Sequence, residues 1–419
     1  MKDIYFDNSS TSFPKAPNVG RAMGEFIENG AFNINRGSYE GAYEAGSAVL
    51  DTREMLKDLF NCPNSKNVVF TPSVTYSLNF FIKGFLKPGD HVLVTSVEHN
   101  AVMRPLVQME KLGVEFDAVP CDEEGGVTAD DFRAYIKENT KAIITTHASN
   151  VCGTIIPIEE IGALCKEKGL VYAVDTAQTA GILNIDMQKA NIDFLAFTGH
   201  KGLLGPQGIG GFIASDKLEG LIDPVISGGT GSLSDSEEIP DFLPDRFESG
   251  TLNLPGIIGL HQALVYLKEA GIDNMRKEKM EITKYFLDQV KEIDGVKVAG
   301  KKTVEGSGSV KATTQNVTFS SDATVQSVLK KDGATVKKGD VIAKLTSSDL
   351  EDSITQLESQ VETLEDTIED SDSSDDDYAS NVRKYKDLTM KLSTLKTERS
   401  NLTVTSKYNG IVSGTITKG

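Results

Sequence analysis

Short apolar runs alternate with stretches of helical periodicity between residues 66 and 215. The runs are rich in Val, Ile and Phe with few polar interruptions, which is typical of parallel strands buried on both faces. The predicted strands are Val68–Thr71, His91–Thr95, Val114–Val119, Ala142–Thr146, Leu170–Val174, Phe194–Phe197 and Gly210–Ala214. The predicted helices between them are Thr75–Gly84, Asn100–Leu112, Ala129–Glu138 and Ile158–Lys168. The pattern indicates an α/β domain in which helices cover a mostly parallel sheet.

The apolar pattern changes twice towards the C-terminus. A long helical stretch follows Pro255 and is predicted to end at residues 295–298, and Gly, Ser, Thr and Val then dominate from 306 to 346. Two turns separate the strands predicted between Val325 and Leu345, and strand character resumes at 404–416. Between them, two heptad-like seams around a polar tip at 371–377 predict an antiparallel helical hairpin. The seams are Leu350, Ile354, Leu357, Val361, Leu364 and Ile368, then Tyr385, Leu388, Leu392, Leu395 and Leu402.

The charge balance is strongly acidic. The 419 residues include 43 Lys and Arg against 61 Asp and Glu, a formal net charge of -18. Such a chain repels phosphate backbones and anionic lipid, so we expect neither nucleic-acid nor membrane binding. The four cysteines all lie in the first 165 residues without metal-ligand spacing, and the N-terminus lacks a leader pattern. We therefore expect free thiols, no metal site and a cytoplasmic protein.

Residues suited to cofactor chemistry stand where predicted strands end. Lys201 follows the sixth strand, where a desolvated amine can form an imine. Asp175 follows the fifth and can keep a pyridine nitrogen protonated, while His99 follows the second and can stack on a flat ring. The turn at 71–75 opens a helix whose free amides can hold a phosphate. Taken singly, Lys201 is more often a solvated loop lysine and His99 a hydrogen-bonded histidine, and Asp175 is also compatible with a helix cap.

Several short motifs occur together in the first three hundred residues. They are Tyr5-Phe6-Asp7-Asn8, Glu98-His99-Asn100, Ser149-Asn150-Val151-Cys152-Gly153-Thr154, Val174-Asp175-Thr176-Ala177-Gln178, Thr198-Gly199-His200-Lys201 and Arg246-Phe247-Glu248-Ser249-Gly250-Thr251. Through them, residues from about 3 to 298 resemble the class V aminotransferase family of fold type I pyridoxal-phosphate enzymes, in its cysteine desulfurase-like branch.

The resemblance implies pyridoxal 5′-phosphate as cofactor, with Lys201 bound to it and Asp175 at its pyridine nitrogen. His99 would stack on the ring, and Lys201 and His99 would be the catalytic residues. Gln178 would hydrogen-bond the phenolic oxygen, with Asn150 at the same ring edge. The implied phosphate ligands are Val74, Thr75, Thr198, His200 and, from the second subunit of a homodimer, Thr251. Arg36 stands where the family places an active-site arginine, and we assign it to the substrate.

The tail departs from this family. Cysteine desulfurases take sulfur onto a mobile cysteine and hold the substrate carboxylate with an arginine, both near the C-terminus, yet no cysteine follows Cys165. Residues from about 304 to 419 instead resemble the membrane fusion (adaptor) subunits of bacterial exporters. We predict a pyridoxal-phosphate domain at 1–299 lacking its C-terminal part and a junction at 300–310. A partial lipoyl-like barrel at 311–348 and 403–419 then flanks a coiled-coil hairpin at 349–402.

The predicted function is sulfur transfer from L-cysteine, giving alanine, with an acceptor protein as partner. We expect the activity to be impaired because the sulfur-accepting cysteine and the carboxylate arginine are absent. Two alternatives stay open: an adaptor-type interaction protein that works through the hairpin, and a pyridoxal-phosphate lyase of the selenocysteine lyase type, which needs no persulfide cysteine.

Overall fold

A computed structural model describes residues 5–30, 32–34, 39–233, 235–293, 324–331, 333–369, 377–406 and 410–412. The chain divides into two compact units, Met1–Val310 and Lys311–Gly419. No helix in these described ranges combines the length and apolarity needed to cross a bilayer.

The first unit contains a seven-stranded sheet. Its strands are β1 (Val68–Thr71), β2 (His91–Thr95), β3 (Glu115–Val119), β4 (Thr140–Thr146), β5 (Val171–Asp175), β6 (Phe194–Thr198) and β7 (Gly210–Ala214). They lie in the order β1-β7-β6-β5-β4-β2-β3. Every pair is parallel except those of β7, which runs antiparallel to both β6 and β1. The predicted α/β fold with a mostly parallel sheet is confirmed.

Helices pack on both faces of this sheet. They are α1 (Val19–Asn29), α2 (Glu40–Leu59), α3 (Val74–Phe85), α4 (Asn100–Glu110), α5 (Ala129–Arg133), α6 (Ile158–Lys168), α7 (Leu254–Ala270) and α8 (Ile272–Lys291). The prediction of helix to Glu138 was wrong, since α5 ends at Arg133. The long helix predicted after Pro255 is two helices, because Gly271 adopts φ 77° between them. Its predicted end at 295–298 lies outside the described residues.

Alternate residues of each central strand enter two separate cores. Leu195 and Phe197 join the core on one face, while Phe194 and Ala196 join the core on the other. Both faces are therefore buried, which explains why the strands are apolar throughout instead of alternating. The same burial holds the strand ends in fixed positions.

Six strands end at one edge of the sheet. Strands β2, β3, β4, β5 and β6 are parallel, and β1 runs parallel to β6 because β7 is antiparallel to both. The residues after each of these strands consequently meet at the carboxyl edge, where ligands of open α/β sheets bind.

The second unit combines short strands with two helices. The strands are β8 (Thr324–Val328), β9 (Thr335–Val336), β10 (Val341–Thr346), β11 (Thr403–Thr405) and β12 (Gly410–Ile411), all paired antiparallel. Helices α9 (Ser348–Glu369) and α10 (Tyr378–Asn401) make three polar contacts, Glu351 with Arg399, Glu358 with Lys396 and Glu365 with Tyr385. The residue numbers of the contacts increase along α9 and decrease along α10, so the two helices run antiparallel. The polar tip and the strand predicted beyond residue 412 lie outside the described residues.

Candidate active site

The residues predicted to contact a cofactor lie at the carboxyl edge of the sheet. His99 follows β2, Asn150 follows β4, Asp175 ends β5, and Lys201 follows β6 by three positions. Register places Thr146 of β4 opposite Asp175. The sheet thus brings together side chains that are about a hundred residues apart in sequence, as the parallel pattern predicts.

Asp175 and Lys201 form the electrostatic centre of this edge. The Asp175 side chain is 2% exposed, and burial raises its pKa, while the Ala177 N–H donates to Oδ1 at 2.9 Å and opposes that shift. The charge of Lys201 also favours the carboxylate. Burial lowers the pKa of Lys201, and Asp175 opposes the change. The edge therefore holds an amine that loses its proton more readily than a surface lysine, next to a buried acid.

His99 is fixed by the helix it precedes. It is the N-cap of α4, and its Nδ1 accepts a hydrogen bond from the Ala101 N–H at 3.0 Å. An N-cap contact stabilises a helix by about 1 kcal/mol. Since Nδ1 is the acceptor, the proton of the neutral ring is on Nε2. The side chain remains exposed, so a flat ligand can reach the ring.

The start of α3 and the loop before Lys201 are suited to an anion. Helix α3 begins at Val74, and the first amides of a helix have no intrahelical acceptor, so those of Val74 and Thr75 can hold an anion. The buried Thr198 Oγ1 and His200 Nδ1 have no hydrogen-bond partner among the described residues. Both elements adjoin Gly210, where a Cβ would lie 2.7 Å from the Phe197 carbonyl and 3.1 Å from Ser73 Cα. Glycine thus allows the helix start and the Thr198 strand to approach closely.

An N-terminal loop lies against the Lys201 loop, which sequence reasoning missed. The Lys15 ammonium and the Ser12 amide both donate to the His200 carbonyl at 2.9 Å. Gln178 Nε2 donates to the Ser9 carbonyl at 3.2 Å, so its amide faces this loop. Its role at a phenolic oxygen stays a prediction. No spacing pattern marked Lys15, because the contact joins residues 185 positions apart.

Thr251 lies on an exposed loop. It lines a cleft with Arg53, Thr230 and Glu248, and Lys201 is not among the residues that line that cleft. Arg53 Nη2 and Glu248 Oε2 form a buried ion pair at 2.6 Å. The contact of Thr251 with a phosphate stays a prediction that requires a second copy of the chain. Arg36 lies outside the described residues.

His147 is a buried base that sequence reasoning assigned no role. It is 5% exposed, and its Nδ1 has no hydrogen-bond partner within the described residues. Desolvation lowers its pKa from 6.5 to about 4. The ring is therefore neutral in the folded protein at neutral pH.

The His147 shift predicts a loss of stability in acid. Below about pH 6.5 the unfolded chain takes up a proton that the folded ring accepts only near pH 4. The unfolding free energy of the cofactor-free protein should fall by about 3 kcal/mol over that range from this group. Urea unfolding at a series of pH values measures it, with His147→Gln flattening the profile. His261→Gln is the control, and equal pH profiles for all three proteins would contradict the assignment.

The comparisons with known proteins agree with this geometry. The sequence profile of the aminotransferase class-V family matches residues 4–354. A relative from Methanothermobacter thermautotrophicus described as a probable cysteine desulfurase is 34% identical over 301 residues, covering 71% of this chain and 74% of its own length. The apo structure of a cysteine desulfurase from Thermococcus onnurineus NA1 has a TM-score of 0.66 and 30% identity, covering 72% and 76% of the two chains. Cysteine desulfurase CsdA from Escherichia coli has a TM-score of 0.63 and 27% identity, covering 70% and 74%.

A partly buried lysine and a buried aspartate at the carboxyl edge of this sheet, beside a helix start suited to phosphate, define a site of the pyridoxal-phosphate class. The chain belongs to the aminotransferase class-V family. Enzymes of this family use pyridoxal 5′-phosphate, and the residues present fit it. Thr198 and His200 have unpaired buried atoms for the phosphate, and Asp175 offers a buried carboxylate for a cationic ring nitrogen.

The comparisons do not support the family that the sequence predicted for residues 304–419. The family profile extends to residue 354, inside α9, beyond the junction predicted at 300–310. The comparisons give no support to the resemblance with exporter adaptors. The antiparallel helix pair is present, but its assignment as an adaptor coiled coil and that of the strands as a lipoyl-like barrel remain predictions.

Proposed function

We propose that this protein is a pyridoxal-phosphate-dependent enzyme of cysteine desulfurase type that acts on a small amino acid, with L-cysteine as its substrate. The observation that carries the proposal is the buried Asp175 beside Lys201 at the carboxyl edge of the sheet. The names and structures of the relatives support the same class.

Bound pyridoxal phosphate supplies an electron sink that stabilises negative charge developing at the substrate carbon. Lys201 would hold the cofactor and, with its pKa lowered by burial, accept a proton from that carbon on Nζ. Asp175 would keep the ring nitrogen cationic, and the fixed His99 ring would orient the cofactor plane. Thr198, His200 and the amides of Val74 and Thr75 would hold the phosphate. Asn150 and Gln178 would line the phenolic edge.

The proposal includes a homodimer, in which the exposed Thr251 of one chain would reach the phosphate held by the other. It also includes a cytoplasmic location and a sulfur acceptor protein, in agreement with the sequence predictions. We propose that sulfur transfer is impaired, since the 419 residues contain no cysteine after Cys165. Sedimentation at equilibrium tests the dimer independently of any activity.

A panel of amino acids tests the reaction. The protein saturated with pyridoxal phosphate should change its visible spectrum with L-cysteine, because the substrate amine displaces Lys201 from the cofactor. Alanine, selenocysteine and cysteine sulfinate are compared, with product analysis for each. Preferential alanine formation from selenocysteine or cysteine sulfinate would move the assignment to a lyase of selenocysteine lyase type. A protein that stays colourless with the cofactor would contradict the proposal.

A further inference from the structure

A second acid, Glu98, lies at the same edge of the sheet as Asp175 and is partly buried. Its Oε1 accepts a hydrogen bond from Thr95 Oγ1 at 2.5 Å and from the Thr146 N–H at 2.9 Å. Thr95 ends β2 and Thr146 ends β4, so one carboxyl oxygen joins the ends of two neighbouring strands. The Glu98 N–H also donates to the Thr95 carbonyl at 3.4 Å, which closes a turn.

This contact determines where the next residue points. His99 follows Glu98 directly, and its Nδ1 is held by the Ala101 amide at the start of α4. The ring is therefore fixed from both sides, by the Glu98 contacts before it and by the helix after it. Losing either support would free the β2–α4 turn and with it the plane of the imidazole.

The charge state of Glu98 follows from its other oxygen. Oε2 is buried and has no hydrogen-bond partner within the described part of the chain. An ionised carboxylate would leave negative charge on an enclosed, unpaired atom, whereas a neutral acid places a carbonyl on Oε1, where both donors point. Burial, with a smaller contribution from the charge of Asp175, raises the pKa of Glu98 to about 8 against the opposing hydrogen bonds from Thr95 and Thr146.

Asp175 and Glu98 lie close enough that ionising one makes ionising the other less favourable, so the surroundings of each decide which of them is ionised. Asp175 has an amide donor and the nearby positive charge of Lys201. Glu98 has only a hydroxyl and an amide, and it faces Asp175 and Tyr172 on β5 and Cys121 after β3. None of these neighbours supplies a cation, so the negative charge stays on Asp175.

We propose that Glu98 is a positioning residue that acts as a neutral acid: it clamps the ends of β2 and β4, holds His99 in place, and leaves the negative charge of the site on Asp175. The proposal rests on the proposed function insofar as His99 is to meet a cofactor ring. The protonation state itself belongs to the cofactor-free chain and can be measured there.

The test compares the wild type with Glu98→Gln, Glu98→Ala and the control Glu110→Gln, which alters an exposed glutamate at the end of α4. Infrared spectra of the cofactor-free proteins at about pH 7 should show the carbonyl stretch of a protonated carboxyl in the wild type and the control. That band should be absent in Glu98→Gln and should fade in the wild type as the pH rises through about 8.

Cofactor affinity provides the second measurement. A glutamine can accept both hydrogen bonds as a neutral acid does, so Glu98→Gln should bind pyridoxal phosphate within about threefold of the wild type at pH 7. Glu98→Ala should bind it about tenfold or more weakly. Above pH 8 the wild type should lose affinity for pyridoxal phosphate relative to Glu98→Gln, because ionised Glu98 no longer holds the ends of β2 and β4 together.

Three results would overturn the proposal: no protonated-carboxyl band in the wild type at pH 7, the same band retained in Glu98→Gln, or a Glu98→Gln protein as weak as Glu98→Ala. If Glu98→Ala does not fold, the infrared spectrum of Glu98→Gln and its affinity for pyridoxal phosphate still test the proposal. A wild type with the expected infrared band but no cofactor affinity would contradict the proposed function and leave the protonation of Glu98 established.

Discussion

Replacing Lys201 with alanine should abolish the visible absorption band that stays with the protein after gel filtration from pyridoxal phosphate. The Lys201 amine follows the end of β6 at the carboxyl edge, and burial lowers its pKa towards the reactive, neutral form, although Asp175 opposes the shift. Phosphate and ring contacts would remain, so the variant should bind the cofactor reversibly but without the band. Absorption spectra after gel filtration measure the difference.

Two further proteins make this result specific. Lys201→Arg keeps the positive charge beside Asp175 but cannot form the bond, and it should be colourless too. Lys189→Ala removes an exposed lysine paired with Glu159 and should retain the wild-type spectrum. Borohydride reduction of the wild type followed by peptide mass spectrometry should place the cofactor on the peptide containing Lys201. A retained band in Lys201→Ala, or the label on another lysine, would refute the assignment.

Sulfide release from L-cysteine should be very slow even with bound cofactor. A persulfide must form on a thiol about 3 to 3.5 Å from the substrate sulfur, and displacement by about 1 Å can lower the rate on the order of a hundredfold. Two cysteines follow strand ends at this edge, Cys121 after β3 and Cys152 after β4, and β4 lies closer than β3 to the strand that precedes Lys201. Burial raises the pKa of Cys152, but hydrogen bonds from Ser149 and Thr154 outweigh that effect and lower it.

The position of Cys152 limits its reach. The Gly153 amide donates to the Ser149 carbonyl at 3.0 Å, and the Cys152 amide contacts Ser149 Oγ at 3.4 Å. A Cβ on Gly125 would lie 2.6 Å from Cys152 Sγ, so the thiol packs against that backbone. A loop tied in this way does not bring the thiol to the substrate as a mobile loop does.

Sulfide is measured with a reductant for the wild type, Cys152→Ala and the control Cys62→Ala, whose cysteine lies at the opposite end of the sheet near the start of β1. We expect trace release in the wild type and the control, reduced to background in Cys152→Ala. Rapid release that survives Cys152→Ala would show that the sulfur leaves by a route independent of that thiol, and the proposed impairment would be wrong.

The central strands were predictable because burial on both faces requires continuous apolar sequence. The predicted limits of β1, β2 and β7 match the structure. Helices α1 and α2 were missed. Helix α1 buries only Val19, and α2 buries Val49 and Leu56 together with small residues such as Ala42 and Ala45.

The sequence by itself determined which residue types stand at the carboxyl edge, since each follows a strand that must be buried. Lys201, Asp175 and His99 were identified in this way, and the motif resemblance gave them their predicted roles. Only the tertiary structure decided that β7 is antiparallel, that Glu98 reaches the Thr146 amide, and which buried atoms lack partners. The reason is physical: protonation and hydrogen bonding depend on distances between chain segments, and local sequence does not encode those distances.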